Sequence, residues 1–344
     1  LVFTLALLPK VGTNGFRIFK AETPGPVAGK VEPRMKNTAV ALYKIYLFIT
    51  IVLFILLKLC GMTLFDAVIH TLGVVGTGGF SSHVASAGQY TNNTPVLVTM
   101  SVFMVICGTN FGLYSRLAGG HWREMFLDEE YRLYLRIVAT AIVLIALNLI
   151  LDAGMKVGLG FREAAFQVTS VISTSGFASM DYDLWPQFSK SILLGLFFFG
   201  SCAGSTAGGM KIIRILVLSK IVKREIFKSI HPNAVMPIRV NGKIVEDRVI
   251  LGIVAFSVVY FIILAVSTVI VSLSGVDFLT AFSGSLTCLS NVGPGFSGLG
   301  PTNTFSSFAP GFKLLFASLM LLGRLEFFTV LGLFTTGHGN HLMD

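Results

Sequence analysis

The sequence predicts an all-α membrane protein made of repeated units of helix, pore helix, filter loop and helix around a central pore. Three observations carry this: the composition, the order of long and short apolar stretches, and the placement of the basic residues. Of 344 residues, 53% are hydrophobic and 12% charged, and the mean hydropathy is +0.79. A soluble fold needs far more charge to cover its surface. The 36 Gly and 30 Phe suit a lipid-embedded chain, in which Gly is more frequent than in soluble helices.

A spanning helix needs roughly 20 apolar residues. Six stretches qualify: 42–60, 95–115, 133–151, 191–217, 249–273 and 311–335. The third is the weakest, because Arg136 and Asp152 leave it a short apolar core. Between the members of each pair lies an amphipathic piece too short to cross: 64–75, 163–173 and 277–289. A loop containing Gly follows each. The order long, short, loop, long thus occurs three times, over 42–115, 133–217 and 249–335. Internal repetition of this kind reads as pseudo-symmetric architecture. The remaining segments read as the tail of an earlier repeat (1–19), three cytoplasmic connections (20–41, 116–132 and 218–248) and a C-terminal tail (336–344). Leu1–Leu8 has neither a basic n-region nor a small-residue cleavage site, so it reads as the end of a spanning helix in a fragment rather than as a signal peptide.

The net charge of +9 sits in the connections. Lys220, Lys223, Arg224, Lys228, Arg239, Lys243 and Arg248 crowd one of them, while 80–95 and 294–312 hold no Lys or Arg. That asymmetry places the first group in the cytoplasm and the others outside, and it argues against a nucleic-acid partner. All three loops then enter from outside. Cys60, Cys107, Cys202 and Cys288 lie in apolar stretches without metal or disulfide spacing and read as small packing residues.

Unpaired backbone inside a bilayer is costly unless it is buried in protein or lines water. The loops TGGF (Thr77–Phe80), TSGF (Thr174–Phe177) and NVGPGF (Asn291–Phe296) are small and polar. Gly permits positive φ, which lets successive carbonyls point one way, and a ring of carbonyls replaces the water shell of a monovalent cation. Each pore helix runs inward, so its partly negative C-terminal end faces the loop. The filter candidates are Val75, Gly76, Thr77, Gly78 and Gly79; Ser173, Thr174, Ser175 and Gly176; and Asn291, Val292 and Gly293. The loops carry no carboxylate ring, which disfavours divalent ions. One such loop alone reads equally as a tight turn; three in register favour an ion path.

These units, together with KAETPGP (Lys20–Pro26), Pro33–Arg34, FDAVIH (Phe65–His70), GSTAGGMK (Gly204–Lys211) and GRLEFFTVL (Gly323–Leu331), resemble the Trk/Ktr/HKT superfamily of potassium transporters. The closest likeness is to the bacterial Trk membrane subunit, and it covers nearly the whole chain. The resemblance implies four repeats around one pore, of which the last three are present in full, so this chain as written does not close a fourfold filter. It implies K⁺ as transported ion, bound at the filter residues with Gly79, Gly176 and Gly293 contributing, and no cofactor. It also implies a multi-pass protein of the bacterial inner membrane, a homodimer among lipid, and a cytoplasmic nucleotide-binding regulatory subunit of the TrkA kind. Sodium, non-selective cation transport and a non-conducting fragment stay open, as does coupling to a proton or sodium gradient (symport).

For gating, the resemblance implies a helix broken in mid-membrane. GSCAGSTAGG (Gly200–Gly209) supplies Gly200, Gly204, Ser205, Thr206, Gly208 and Gly209 inside an apolar stretch. Freed carbonyls and amides there turn to water or hydroxyls. Close helix packing through Gly200, Gly204 and Gly208 is the alternative. Arg324, inside an apolar run, reads as a fixed charge below the filter, with Glu326 a poorly oriented partner; snorkelling to the interface fits its flanks less well.

Other classes fail on spacing. In GSTAGGMK, Met210 separates Gly209 from Lys211, so no phosphate-binding loop forms, and GVVGTGG lacks the dinucleotide spacing. His70, His83 and His121 are scattered, and Asp152, Asp181 and Asp183 sit at membrane edges. No pair fits an intramembrane enzyme, and Asp66 reads as a cap near the start of a pore helix.

Overall fold

The computed structural model describes residues 35–234 and 236–325. Segment 1–19, the KAETPGP and Pro33–Arg34 motifs, Glu326 and the tail 336–344 lie outside the described residues. Within them the chain is helical apart from loops and one small hairpin.

The second repeat begins with α1 (Met35–Leu59), followed by the pore helix α2 (Leu64–Val75), then α3 (Thr94–Cys107) and α4 (Phe111–Ala118). A short helix α5 (Trp122–Leu127) leads to the third repeat: α6 (Glu129–Leu151), the pore helix α7 (Val157–Ile172), α8 (Gln187–Leu196) and α9 (Ile212–Ile230). A two-stranded hairpin, β1 (Arg239–Val240) and β2 (Lys243–Ile244), precedes the fourth: α10 (Asp247–Ser272), the pore helix α11 (Phe278–Ser290) and α12 (Pro310–Leu325).

The pore helices start for local reasons. The Thr63 hydroxyl accepts from the Asp66 amide 3.1 Å away and donates to the Asp66 carboxylate at 2.7 Å, a reciprocal cap that satisfies an orphan amide of the first turn. The cap residue is therefore Thr63, with Asp66 in the first turn where helix dipole and carboxylate attract. Asp277 caps α11 in the same manner through the Thr280 amide at 3.1 Å.

Two expected spans differ. The stretch 95–115 is not one helix: it breaks after Cys107 and α4 leaves at 90° to α3. The stretch 191–217 stops at Leu196, runs irregularly to Lys211 and resumes as α9, so the helix-packing alternative for its glycines does not apply. The weak span 133–151 is part of a helix that begins four residues earlier, at Glu129. Of the third pore helix, predicted from 163, the structure adds a turn and a half from Val157. Among the described residues, α1, α6 and α10 are each long and apolar enough to cross a membrane, and the bent pair α3–α4 makes a fourth.

Most of the core joins the third and fourth repeats, where α6 packs on α7 and α11 on α10 and α12. A second cluster fills the second repeat and takes Phe166 and Phe177 from the third. The apolar residues left facing outward on α1 and α10, such as Phe48, Ile55, Leu251 and Val269, form the lipid-facing surface that a membrane helix requires. Cys107, Cys202 and Cys288 are buried as packing residues; Cys60 is half-buried.

Candidate ion pathway

Each pore helix ends in the same backbone figure. Thr77, Thr174 and Asn291 have φ of 50°, 54° and 58°, and two residues later Gly79, Gly176 and Gly293 have 65°, 75° and 114°. The residue between is not left-handed in any of them. Left-handed residues that alternate with ordinary ones turn successive peptide planes the same way, as a file of carbonyls requires.

The amides of the loops are used by the pore helices. The amide of Gly78 donates to the Gly73 carbonyl (2.8 Å), Ser175 to Ser170 (3.0 Å) and Val292 to Thr287 (3.0 Å). With the N–H groups drawn back into the helix end, the carbonyls are left for the opposite side. The glycines fix how the loops meet. A β-carbon on Gly79 would overlap the Ser175 carbonyl oxygen, and one on Gly176 would overlap that of Val292. The second loop thus abuts the third as the third abuts the fourth, a head-to-tail arrangement about one axis. Around Gly293, no described residue lies within 4 Å of that position. Of the expected filter residues, Val75 is the last residue of α2, and Gly76 is its cap with an ordinary right-handed conformation. Ser173 is likewise the cap of α7.

Behind the loops, side chains tie the filter's outer ends to the starts of the pore helices. Asp66 and Glu163 stand at equivalent positions ahead of Thr77 and Thr174. Asp66 accepts from the Ser82 hydroxyl at 2.5 Å and pairs with His83 at 3.3 Å. Fully buried Glu163 accepts from Ser179 and pairs with Arg162 at 2.7 Å. In the fourth repeat, Thr280 holds that place and accepts from the Gly298 amide at 2.8 Å, while Asp277 receives Ser297 at 3.3 Å. The hydrogen bond from the Thr280 hydroxyl holds the Asp277 carboxyl below its ordinary value. Asp183, in the outer loop of the third repeat, is raised by burial and by the charge of Asp181.

The irregular segment between α8 and α9 contains six of the seven expected gating residues, all but Arg324. Its neck closes on itself through the Gly200 amide to the Met210 carbonyl (2.7 Å) and Ile212 to Ser201 (3.2 Å). Its body lies across the inner end of the filter. The Thr77 hydroxyl donates to the Thr206 carbonyl (2.9 Å), and the Gly208 amide donates to the Thr174 hydroxyl (2.8 Å). A β-carbon on Gly208 would meet that of Asn291 at 2.8 Å. The first residue of all three filter loops therefore touches this segment. Lys211 is buried and donates to the Ala207 carbonyl (2.5 Å) and the Ser205 hydroxyl (3.3 Å).

The segment also explains the bend of α3. Its Cys202 amide donates to the Gly108 carbonyl (3.0 Å), and the Phe111 amide to the Gly204 carbonyl (3.1 Å). Backbone groups freed at the α3–α4 break are taken up here. Arg324 lies exposed in the last turn of α12 and close enough to Lys211 for their charges to interact. Its neighbour Gly323 lets α12 pack closely on the end of α11, since a β-carbon there would overlap the Leu289 carbonyl oxygen. Glu130, Gly108–Asn110, Lys211 and Gly323 are site residues that sequence reasoning missed. Lys211 carried a readable signal, an ionisable group within an apolar span; the others carried none.

Three loops tied back to the ends of short apolar helices, with Gly79 and Gly176 each pressed on the next loop, sit among helices long and apolar enough to cross a membrane, which makes this a helical membrane protein. The family model described as "TrkH: Cation transport protein" matches residues 1–340, and the chain belongs to that family. It is 36% identical over 341 residues to the Trk system potassium uptake protein TrkH of Salmonella typhimurium, covering 97% of this chain and 69% of that protein. To the TrkH of Vibrio parahaemolyticus it is 37% identical over 342 residues, with 97% and 70% covered, and to Escherichia coli TrkG 34% over 338 residues, with 97% and 69% covered. The crystal structure of the potassium transporter TrkH from Vibrio parahaemolyticus superposes with a TM-score of 0.82, at 35% identity, over 96% of this chain and 68% of that one.

Proposed function

We propose that this protein takes up potassium, as the relatives' names state of them, and does so across the bacterial inner membrane. Three of its filter loops are 77–79, 174–176 and 291–293, and the segment Gly200–Gly209 with Arg324 forms the gate. The observation that carries this reading is the repeated left-handed figure at all three loops, with Gly79 and Gly176 each pressed on a carbonyl of the next. K⁺ is cargo, met by carbonyl oxygens, and the chain supplies no catalytic group and takes no cofactor. The gate lies on the cytoplasmic side, where Arg324 sets a positive charge in the ion's path until the loop moves. The repeats 42–115, 133–217 and 249–335 are the pore units of a homodimer. Its basic inner connections receive a cytoplasmic nucleotide-binding subunit.

The test is ⁸⁶Rb⁺ uptake into proteoliposomes by the full-length protein, with K⁺ and Na⁺ as competitors. Block by K⁺ and not by Na⁺ is the expected result. Equal block keeps the pore and removes the potassium preference; no uptake by folded protein under any gradient removes the pore.

A further inference from the structure

Glu130 lies in the first turn of α6, at the cytoplasmic end of the third repeat, and is buried (6% exposed). One of its carboxylate oxygens accepts two backbone hydrogen bonds, from the Ala203 amide at 2.6 Å and the Ile213 amide at 3.0 Å. These amides lie on the two arms leading into and out of the intramembrane segment: Ala203 follows the neck on the way in, and Ile213 is the second residue of α9 on the way out. Charge-assisted bonds of this kind are about twice as strong as neutral ones. A buried carboxylate without such partners would be costly.

The residues just before Glu130 face the cytoplasmic hairpin. Asn241 and Gly242 have φ of 50° and 75°, the left-handed pair that a two-residue hairpin turn requires. The Asn241 side-chain amide donates to the Asp128 carboxylate (2.6 Å), its side-chain oxygen accepts from the Glu129 amide (2.8 Å), and its own amide donates to the Glu129 carboxylate (2.9 Å). Lys220 of α9 joins the same knot, donating to Glu129 and to the Arg239 carbonyl. Three consecutive acids, Asp128, Glu129 and Glu130, thus hold the exposed hairpin with two members and the buried segment with the third.

We propose that Glu130 is the positioning residue of the gate: its carboxylate keeps the intramembrane segment under the filter, and the Asn241–Gly242 turn keeps Glu130 in place. This rests on the reading of Gly200–Gly209 as a gate. A shift of the hairpin is passed to both arms of the segment through one turn of α6. A cytoplasmic event that moves the hairpin therefore has a short covalent and hydrogen-bonded route to the pore.

The experiment uses the full-length protein in proteoliposomes, with Glu130→Ala, Glu130→Gln and Asn241→Ala, each with and without a Ser205→Cys reporter. A membrane-impermeant thiol reagent on the cytoplasmic side reads the reporter. Loss of two charge-assisted bonds from a closed gate predicts an increase of about tenfold or more in ⁸⁶Rb⁺ uptake for Glu130→Ala, with the Rb⁺/Na⁺ preference of the parent retained. Ser205→Cys labelling accelerates alongside. Glu130→Gln, which retains an accepting oxygen, stays near the parent. Asn241→Ala gives a smaller rise, and adding it to Glu130→Ala gives no further one. Unchanged uptake and labelling in Glu130→Ala, with only a lower unfolding temperature, means a structural role and overturns the proposal. Should Glu130→Ala not fold, unchanged labelling in Asn241→Ala overturns it alone. If the parent itself moves no Rb⁺, the pore reading fails, and the labelling comparison still decides whether Glu130 positions the segment.

Discussion

The filter loops and the segment beneath them are both irregular backbone inside an apolar region, yet they are held in opposite ways. Every filter loop returns its amides to its own pore helix, as Gly78 to Gly73, Ser175 to Ser170 and Val292 to Thr287. The segment between α8 and α9 has local bonds at its neck and from Ser205 and Lys211 within its body, but these do not fix where it lies. Its body bonds to groups remote in sequence: Gly108, Phe111, Glu130, Thr77 and Thr174. Local bonds break only when the pore helix itself unravels. Remote bonds are exchanged when two elements slide, which is what a switching element needs. The contrast separates a rigid selector from a movable obstruction, and the following variants test it from the largest effect to the smallest.

Gly176→Asp strikes the rigid side. Its φ of 75° disfavours any side chain, and the new β-carbon would overlap the Val292 carbonyl oxygen. Strain of this kind costs about 1–3 kcal/mol, and a carboxylate is added at the ion path. Uptake of ⁸⁶Rb⁺ should fall to background while the protein still elutes as folded material. Selective uptake by this variant would refute the placement of the filter.

Gly323→Val presses α12 off the end of α11, because a β-carbon there meets the Leu289 carbonyl. Overpacking of a close contact costs about 1–3 kcal/mol. A lower unfolding temperature with reduced uptake is expected, and an unchanged melting curve would show that the two helices are free to separate.

Thr174→Val acts on the junction itself. It removes the acceptor of the Gly208 amide and leaves the filter backbone alone. An unsatisfied buried amide costs about 1–3 kcal/mol, which here falls on the segment's resting position. Uptake should rise several-fold with the K⁺ over Na⁺ preference kept. A loss of preference without a rise would mean that the hydroxyl serves the filter rather than the segment.

The same contrast decides what could be read from the sequence. The second pore helix lies at the expected 64–75, and the TGGF, TSGF and NVGPGF figures fall where Gly and small polar residues announced them, because their structure is made by neighbours a few residues away. The unwound stretch at Gly200–Gly209 was expected from the family resemblance; its glycines and small polar residues suit a break but left close helix packing open. The bend at Gly108–Asn110 was not visible. Ile106, Cys107, Phe111 and Leu113 continue an apolar helical pattern, and the break is stabilised by Cys202 and Gly204, far along the chain. Glu130 was hidden for the same reason: an acid at the edge of a span is ordinary until the backbone amides it receives are known.

The outer mouth supplies the smallest and most local test. Asp277 caps α11 and accepts from the Thr280 and Ser297 hydroxyls, and these hydrogen bonds hold its carboxyl below the ordinary value near 3.8. For a carboxylate depressed by folding, the stabilisation is present above the unfolded value and is lost as pH falls through the folded one. Asp277→Asn should therefore lower the unfolding temperature slightly and by the same amount at pH 7 and pH 5, with the difference from the parent closing only below about pH 4. Since Asp277 touches neither the segment nor its partners, uptake at pH 7 and the K⁺ preference should not change. A change in uptake would mean that the outer end of the fourth loop is coupled to the inner one, and that the filter is less self-contained than its amide bonds make it.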